Sequence, residues 1–171
     1  MRIPEVSSRD AVPAEQRHVW DAIVASRGSV RGPFAVLMHS PEAAARVAHL
    51  GTFIRFESSL DPASRELAAL VTAHLLDCEY ERAAHERLAR EAGVPDAVLD
   101  AVRAKQFAAI DPAYGWVCEF ARQLVVEHRV APAAFDAARE RLDTRGLVEL
   151  VATIGYYANI AAVLDAFTET P

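Results

Sequence analysis

The sequence predicts an all-α protein that folds as a single-domain helical bundle, and three observations support this fold class. Most segments begin with a proline or a capping residue, the signals that start a helix. Glycine followed closely by proline ends one of them cleanly, at residues 93–95. No useful length of chain alternates apolar and polar residues, which is the pattern of a half-buried strand.

The first half of the chain is expected to hold an N-terminal arm followed by four helices. Residues 1–12 form the arm and residues 13–171 the helical domain. Ser40-Pro41 and Asp61-Pro62 each combine a capping side chain with proline at the first helical position. Glycine and proline at residues 27–33 predict a loop. The predicted elements are helix 13–26, a short turn at 34–38, helix 41–56, a helix that begins at 61–62 and carries His74, and a helix from 78 to 93.

The second half continues in the same way. Each predicted helix again begins at a proline or a capping residue, at positions 95, 112, 132 and 144. The last one, 147–167 in its most apolar part, carries Glu149, Asn159 and Asp165 at helical spacing. These polar side chains favour a buried helix over a membrane span. The predicted helices are 95–106, 112–128, 132–142 and 144–167.

Composition and net charge indicate a globular protein and argue against several kinds of partner. A chain of 171 residues with 52% hydrophobic and 25% charged residues is typical of one globular domain. The net charge is −6 and no Lys/Arg cluster is present, so neither nucleic acid nor an anionic membrane is expected as a partner. The N-terminus lacks the apolar core of a secretory signal, and two cysteines do not make a disulfide framework. We therefore expect a cytoplasmic protein.

The helix that begins near Cys78 is predicted to carry chemistry. Cys78, Glu81 and His85 lie at i, i+3 and i+7, on one stripe that continues into the apolar face. The thiol, the carboxylate and the imidazole thus point inward together. Burying a carboxylate and an imidazole costs free energy unless they pair, and the i, i+4 spacing of Glu81 and His85 allows this.

The preceding helix supplies a further carboxylate. An antiparallel hairpin of the two helices, joined near Asp77, is expected to bring Glu66 to the pocket of His85. Two carboxylates around one imidazole suit proton transfer. The helix N-terminus favours a thiolate at Cys78, whereas the acidic residues around it oppose one.

These residues carry a family resemblance. Glu66, eleven residues, Cys78-Glu79-Tyr80-Glu81, three residues and His85 reproduce the spacing of a Glu, Cys-x-x-Cys, His motif. The sequence therefore resembles the carboxymuconolactone decarboxylase family, with its alkylhydroperoxidase D-like fold, from about residue 32 to residue 167. Further segments that resemble the family are 32–41, Arg65-Glu66-Leu67, Ala92-Gly93-Val94-Pro95 and 147–157.

One departure from the family motif affects the expected activity. Glu81 replaces the second cysteine, and a dithiol peroxidase needs that second thiol to resolve the sulfenic acid on the first. Cys118 is the only other cysteine, and its apolar helical stripe indicates a core residue. Peroxiredoxin-type activity is accordingly doubtful, and acid–base chemistry becomes the leading hypothesis.

The decarboxylase branch of the family implies a cofactor-free lyase or isomerase that acts on a small lactone or a related carboxylic acid. In this interpretation His85 is the acid/base, and Glu81 and Glu66 set its protonation. His39 or Arg65 would hold a substrate carboxylate, and Tyr80 would line the binding site. No metal ligand set is predicted. The resemblance also implies self-association as a trimer or hexamer.

Two other hypotheses remain open at this point. Cys78 alone could support a thiol-dependent peroxidase or antioxidant oxidoreductase that uses an external thiol. The chain could also be a non-catalytic ligand-binding member that has kept the fold and part of the site.

Overall fold

The computed structural model describes residues 1–168 of the 171-residue chain. Within this range the chain forms nine α-helices, three short 3-10 turns and no β-strand, which confirms the predicted all-α class. The helices are α1 (Arg17–Arg27), α2 (Pro33–Leu37), α3 (Pro41–Phe56), α4 (Pro62–Leu75), α5 (Glu79–Glu91), α6 (Asp96–Arg103), α7 (Pro112–Val126), α8 (Pro132–Arg139) and α9 (Thr144–Phe167).

Proline and aspartate explain several of the helix starts. Asp61 caps α4, with its carboxylate accepting a hydrogen bond from the Ser64 amide, and Pro62 occupies the first turn. Asp111 caps α7 in the same manner. Ser40 also occupies the cap position of α3, but its hydroxyl makes no capping hydrogen bond. The prediction of a Ser40 side-chain cap was therefore wrong, although α3 does begin at Pro41.

Several helices are shorter than the sequence pattern predicts. The first begins at Arg17 rather than near Pro13, because residues 14–16 form a 3-10 turn. Lys105 and His128 adopt positive φ values of 56° and 57°, in the left-handed region that ends a helix. Glycine usually marks such a position, so neither end is evident from the residue type.

The described residues form two compact units. The first contains Met1–Glu57 together with the end of the chain from Ala162. Its core includes Val6, Val12 and Ile23, so two residues of the predicted arm are buried. The division into an arm and one helical domain stays a prediction.

The second unit, Ser58–Ala161, contains α4 to α8 and most of α9. Its core is built on α4 and α7, which pack against each other through fully buried apolar side chains. Leu67, Leu70, Val117 and Phe120 are among the largest of these. This unit holds all the residues of the Glu66 to His85 segment.

α9 is the one described helix long and apolar enough to cross a membrane by length and composition. Half of its most apolar window is buried within the protein. Core helices of globular proteins meet the same criterion, so this feature alone does not indicate a membrane span.

A tight turn between α4 and α5 positions the candidate site. Asp77 has a φ of 52°, and the Cys78 amide donates a hydrogen bond to the Ala73 carbonyl at 2.9 Å. The chain therefore reverses within a few residues. The two helices then run side by side as the antiparallel hairpin that the sequence predicts.

Candidate active site

The inward stripe of α5 is the centre of the candidate site. Glu81, His85 and Ala89 are the buried residues of this otherwise polar helix. Glu66 on α4 is buried opposite them, and its exposed fraction is 6%, compared with 7% for Glu81 and 4% for His85. Three ionisable side chains thus lie next to one another in the protein interior, where each needs the others as charge or hydrogen-bond partners.

His85 lies between the two carboxylates. Its Nδ1 is 2.7 Å from Oε2 of Glu66 and its Nε2 is 3.2 Å from Oε2 of Glu81. Only the imidazolium ion can donate to both carboxylates, because a neutral imidazole carries a proton on one nitrogen. Burial lowers the pKa of His85, but the hydrogen bonds to Glu66 and Glu81 outweigh burial and raise it above the ordinary value.

Arg65 balances the charge of this cluster. Its Nε donates to Oε1 of Glu66 at 3.2 Å, and the arginine side chain is 17% exposed. Burial would raise the pKa of Glu66, but the His85 hydrogen bond and the nearby charges hold it below the ordinary value. Two cations therefore face two carboxylates, which is how buried charges are tolerated.

An aromatic ring from α9 covers the imidazole. The Tyr157 ring meets His85 edge-on, with 4.4 Å between ring centroids and 77° between ring planes. Tyr156 packs against Tyr157 in a similar edge-on contact at 5.0 Å. Tyr157 is not among the residues that the sequence predicts for the site, because aromatic residues at helical spacing usually pack in a core. The adjacent tyrosines in the closing family-like segment were the available signal.

Comparisons with known proteins identify a family match for part of the chain and relatives of its fold. The model of the carboxymuconolactone decarboxylase family matches residues 41–123, a range that contains Glu66, Cys78, Glu81 and His85. Residues 41–123 belong to the carboxymuconolactone decarboxylase family. No curated protein matches the chain.

Two solved structures share the fold of this chain. One is an alkylhydroperoxidase AhpD core, a peroxidase-related protein from Ralstonia eutropha JMP134, with a TM-score of 0.78 and 21% identity over 99% of this chain and 91% of that chain. The other is a peroxidase-related protein from Silicibacter sp. TM1040, with a TM-score of 0.75 and 17% identity over 98% of this chain and 92% of that chain. At these identities the likeness shows the fold.

Cys78 is the residue that the sequence predicts to match the first motif cysteine. It occupies the N-cap of α5, and the residue is 3% exposed. Within the described residues, neither Cys78 nor Cys118 forms a disulfide. Cys78 therefore shares the helix of Glu81 and His85 and begins their inward stripe.

Cys118 lies in the hydrophobic core of the second unit, as its apolar stripe predicts. Burial raises the pKa of its thiol to about 12, so the protonated form prevails at neutral pH. A protonated core thiol is a poor resolving partner for a sulfenic acid at Cys78.

Tyr80 and His39 are the other two predicted binding residues. Tyr80 lies on α5 with 44% of its surface exposed, in contrast to the buried stripe beside it. His39 belongs to the first unit, where its Nε2 lies 2.7 Å from the Pro4 carbonyl oxygen. The binding roles of Tyr80 and His39 stay predictions. Within residues 1–168, no three His, Cys, Asp or Glu side chains are grouped as a metal site.

Proposed function

We propose that this family member is a cofactor-free acid–base enzyme, a lyase or isomerase that acts on a small lactone or a related carboxylic acid. The observation that carries the proposal is the position of His85 between Glu66 and Glu81. A buried imidazole whose pKa is raised remains protonated where a free histidine has lost its proton. Such a group is suited to protonating carbon.

The proposed reaction needs one proton. As the carbon–carbon bond to the substrate carboxylate breaks, carbon dioxide leaves and the electron pair moves into the conjugated lactone as a dienolate. His85 Nε2 then donates its proton to carbon and becomes neutral, and water restores that proton before the next turnover.

Glu66, Glu81 and Arg65 have separate roles in the proposed reaction. Glu66 holds Nδ1 at the shorter of the two distances and fixes the ring orientation. Glu81 faces Nε2, the nitrogen assigned to proton donation, at the longer distance. Arg65, which is partly exposed and next to Glu66, is the group proposed to bind the substrate carboxylate.

Isotope labelling tests the reaction class. Incubating the protein with a carboxymuconolactone in deuterated water should release carbon dioxide and give a product with one deuterium on carbon. Exposed His49, in the first unit, supplies a matched control, because His49→Gln should label the product at the rate of the unaltered protein. Release of carbon dioxide that is unaffected by His85→Gln would contradict the proposal.

A thiol-dependent peroxidase is the second candidate function. It is favoured by Cys78, which lies at the N-terminus of α5 on the stripe of His85. In this reaction the Cys78 thiolate attacks a peroxide oxygen, an alcohol or water leaves, and the sulfenic acid is reduced by two equivalents of an external thiol. Peroxide treatment followed by mass spectrometry should show selective oxidation of Cys78, and uniform or absent oxidation would exclude this candidate.

A non-catalytic binding role is the third candidate. It is favoured by the closed pairing of Glu81 and His85, which are almost fully buried. If this role is correct, a carboxymuconolactone that shifts the His85 resonance in an NMR titration is recovered unchanged. Under the leading proposal, the same lactone shifts that resonance and is then decarboxylated.

We also propose that the protein is a cytoplasmic homo-oligomer, as the family resemblance implies. Val148 and Val151 support self-association, because they are 64% and 45% exposed on one side of α9. Light scattering on the eluting protein should give the mass of a trimer or hexamer. A monomer of 18.6 kDa would contradict this proposal.

A further inference from the structure

A second polar cleft lies among α4, α5 and α6. It has a volume of about 690 Å³ and shares no lining residue with the Glu66, Glu81 and His85 cluster. Five of its lining residues are basic and three are acidic, and three further carboxylates, those of Glu91, Asp96 and Asp100, pair with the lining arginines from outside the cleft. The basic residues are Arg82, Arg87, Arg90, Arg103 and Lys105, and the acidic ones are Asp77, Glu79 and Glu86.

His74 gives this cleft a feature that a solvated charged surface lacks. The residue lines the cleft, its exposed fraction is 6%, and its buried Nε2 has no hydrogen-bond partner within the described protein. Buried polar atoms are nearly always paired, so an unpartnered one that lines a cleft is available to bond a ligand or a water molecule there. Burial first, and then the charges of Arg82, Arg103 and Lys105, lower the pKa of His74, although Glu86 opposes them.

The cations of the cleft can exchange their present partners. Arg103 and Lys105 pair with Glu86 and Asp77, and about half of each basic side chain is exposed. Exposed ion pairs of this kind contribute little net free energy, so an incoming anion can compete for the cations. A neutral imidazole can meanwhile donate from Nε2 to an oxygen of that anion.

We propose that this cleft is a binding site for a small phosphate-bearing molecule. The oxygens of one phosphate group can accept hydrogen bonds from the arginine and lysine side chains of the cleft and from Nε2 of His74 together. The site is separate from the proposed reaction at His85 and stands whether or not that reaction is confirmed.

An NMR titration with inorganic phosphate tests this site on the full chain, with ionic strength held constant by sodium chloride. Phosphate should cause a saturable shift of the His74 ring resonance and should raise the pKa of His74, because the bound dianion favours the imidazolium. Lys105→Gln and Arg103→Gln, both at exposed positions, should each weaken phosphate binding by about tenfold.

Arg46→Gln is the matched control, since Arg46 is an exposed, ion-paired arginine in the other unit. It should leave the phosphate affinity unchanged. Circular dichroism confirms that each variant is folded before its affinity is compared. A shift that does not saturate, an equal shift with chloride alone, or an equal loss of affinity in Arg46→Gln would overturn the proposal.

Discussion

Glu66 and His85 are nineteen residues apart in sequence, and their side chains meet at 2.7 Å inside the α4–α5 hairpin. The contact joins Oε2 of the carboxylate to Nδ1 of the imidazole. It leaves Nε2 facing Glu81, and Nε2 is the nitrogen that donates the proton in the proposed reaction. The proposed reaction requires this pairing and makes no use of the Cys78 thiol.

Replacing Glu66 by glutamine should therefore lower the pKa of His85 and destabilise the fold. One of the two carboxylates that favour the imidazolium is lost, and Arg65 keeps its charge nearby. Breaking one partner of a buried ion pair costs about 3–5 kcal/mol. NMR titration of the ring and urea unfolding measure the two effects, and a His85 pKa that does not change would contradict the assigned pairing.

The pH dependence of stability follows from the same pair. The pKa of His85 is raised in the folded state. Its contribution to the free energy of unfolding is therefore complete below the pKa of the unfolded histidine, and it is lost as pH rises through the pKa of the folded one. The pKa of Glu66 is lowered, so its contribution is present above the unfolded value and is lost as pH falls through the folded one. The free energy of unfolding should therefore decrease as pH rises through the folded-state pKa of His85 and as pH falls through the folded-state pKa of Glu66. His85→Gln should remove the decrease at high pH.

Glu149 should stabilise the second unit by holding Ser58 and Ser59, the residues that precede α4. One carboxylate oxygen accepts from Ser58 Oγ, the Ser59 amide and Ser59 Oγ, and the other from Arg145 Nε. Burial opposes ionisation, but these hydrogen bonds lower the pKa of Glu149 to about 2. The contribution is present above the unfolded pKa and is lost as pH falls toward the folded one.

Glu149→Gln should accordingly cost about 2–3 kcal/mol of unfolding free energy at neutral pH and less in acid. Urea unfolding at several pH values measures this loss. Glu42→Gln is the matched control, because Glu42 pairs with Arg46 on an exposed helix face and should change stability by less than about 0.5 kcal/mol. Equal losses in both variants would show that the Ser58–Ser59 contacts contribute nothing specific.

Cys118 should resist alkylation in the folded protein. Its thiol is fully buried in the core, so the reagent cannot reach the sulfur. Its pKa is raised to about 12, so little of the reactive thiolate is present at neutral pH. Iodoacetamide labelling followed by mass spectrometry should modify Cys118 only at the rate of unfolding. Fast labelling of Cys118 without denaturant would restore it as a possible resolving thiol for Cys78.

Local patterns were sufficient to predict the helices and the hairpin contact. Asp61-Pro62 predicts the start of α4, and the i, i+4 spacing of Glu81 and His85 fixes their pairing on one helix. Glu66 could be added because a short antiparallel hairpin leaves few possible partners for His85. The family-like spacing of these residues supports the same assignment.

Other features depend on residues that are distant in sequence. Glu149 contacts serines about 90 positions earlier, and no local periodicity encodes such a pair. The edge-on contact of Tyr157 with His85 depends on how α9 packs inside the second unit. The unpartnered Nε2 of His74 likewise appears only once every neighbouring group has been placed.

A decarboxylation assay that compares His85→Gln with Cys78→Ser distinguishes acid catalysis by His85 from thiol chemistry. We expect His85→Gln to lower kcat/KM for a carboxymuconolactone by about 10²–10⁴-fold, the usual contribution of a general acid. Cys78→Ser should stay within about threefold of the unaltered protein, since no covalent step through sulfur is required. A large loss in Cys78→Ser with full activity in His85→Gln would contradict the account.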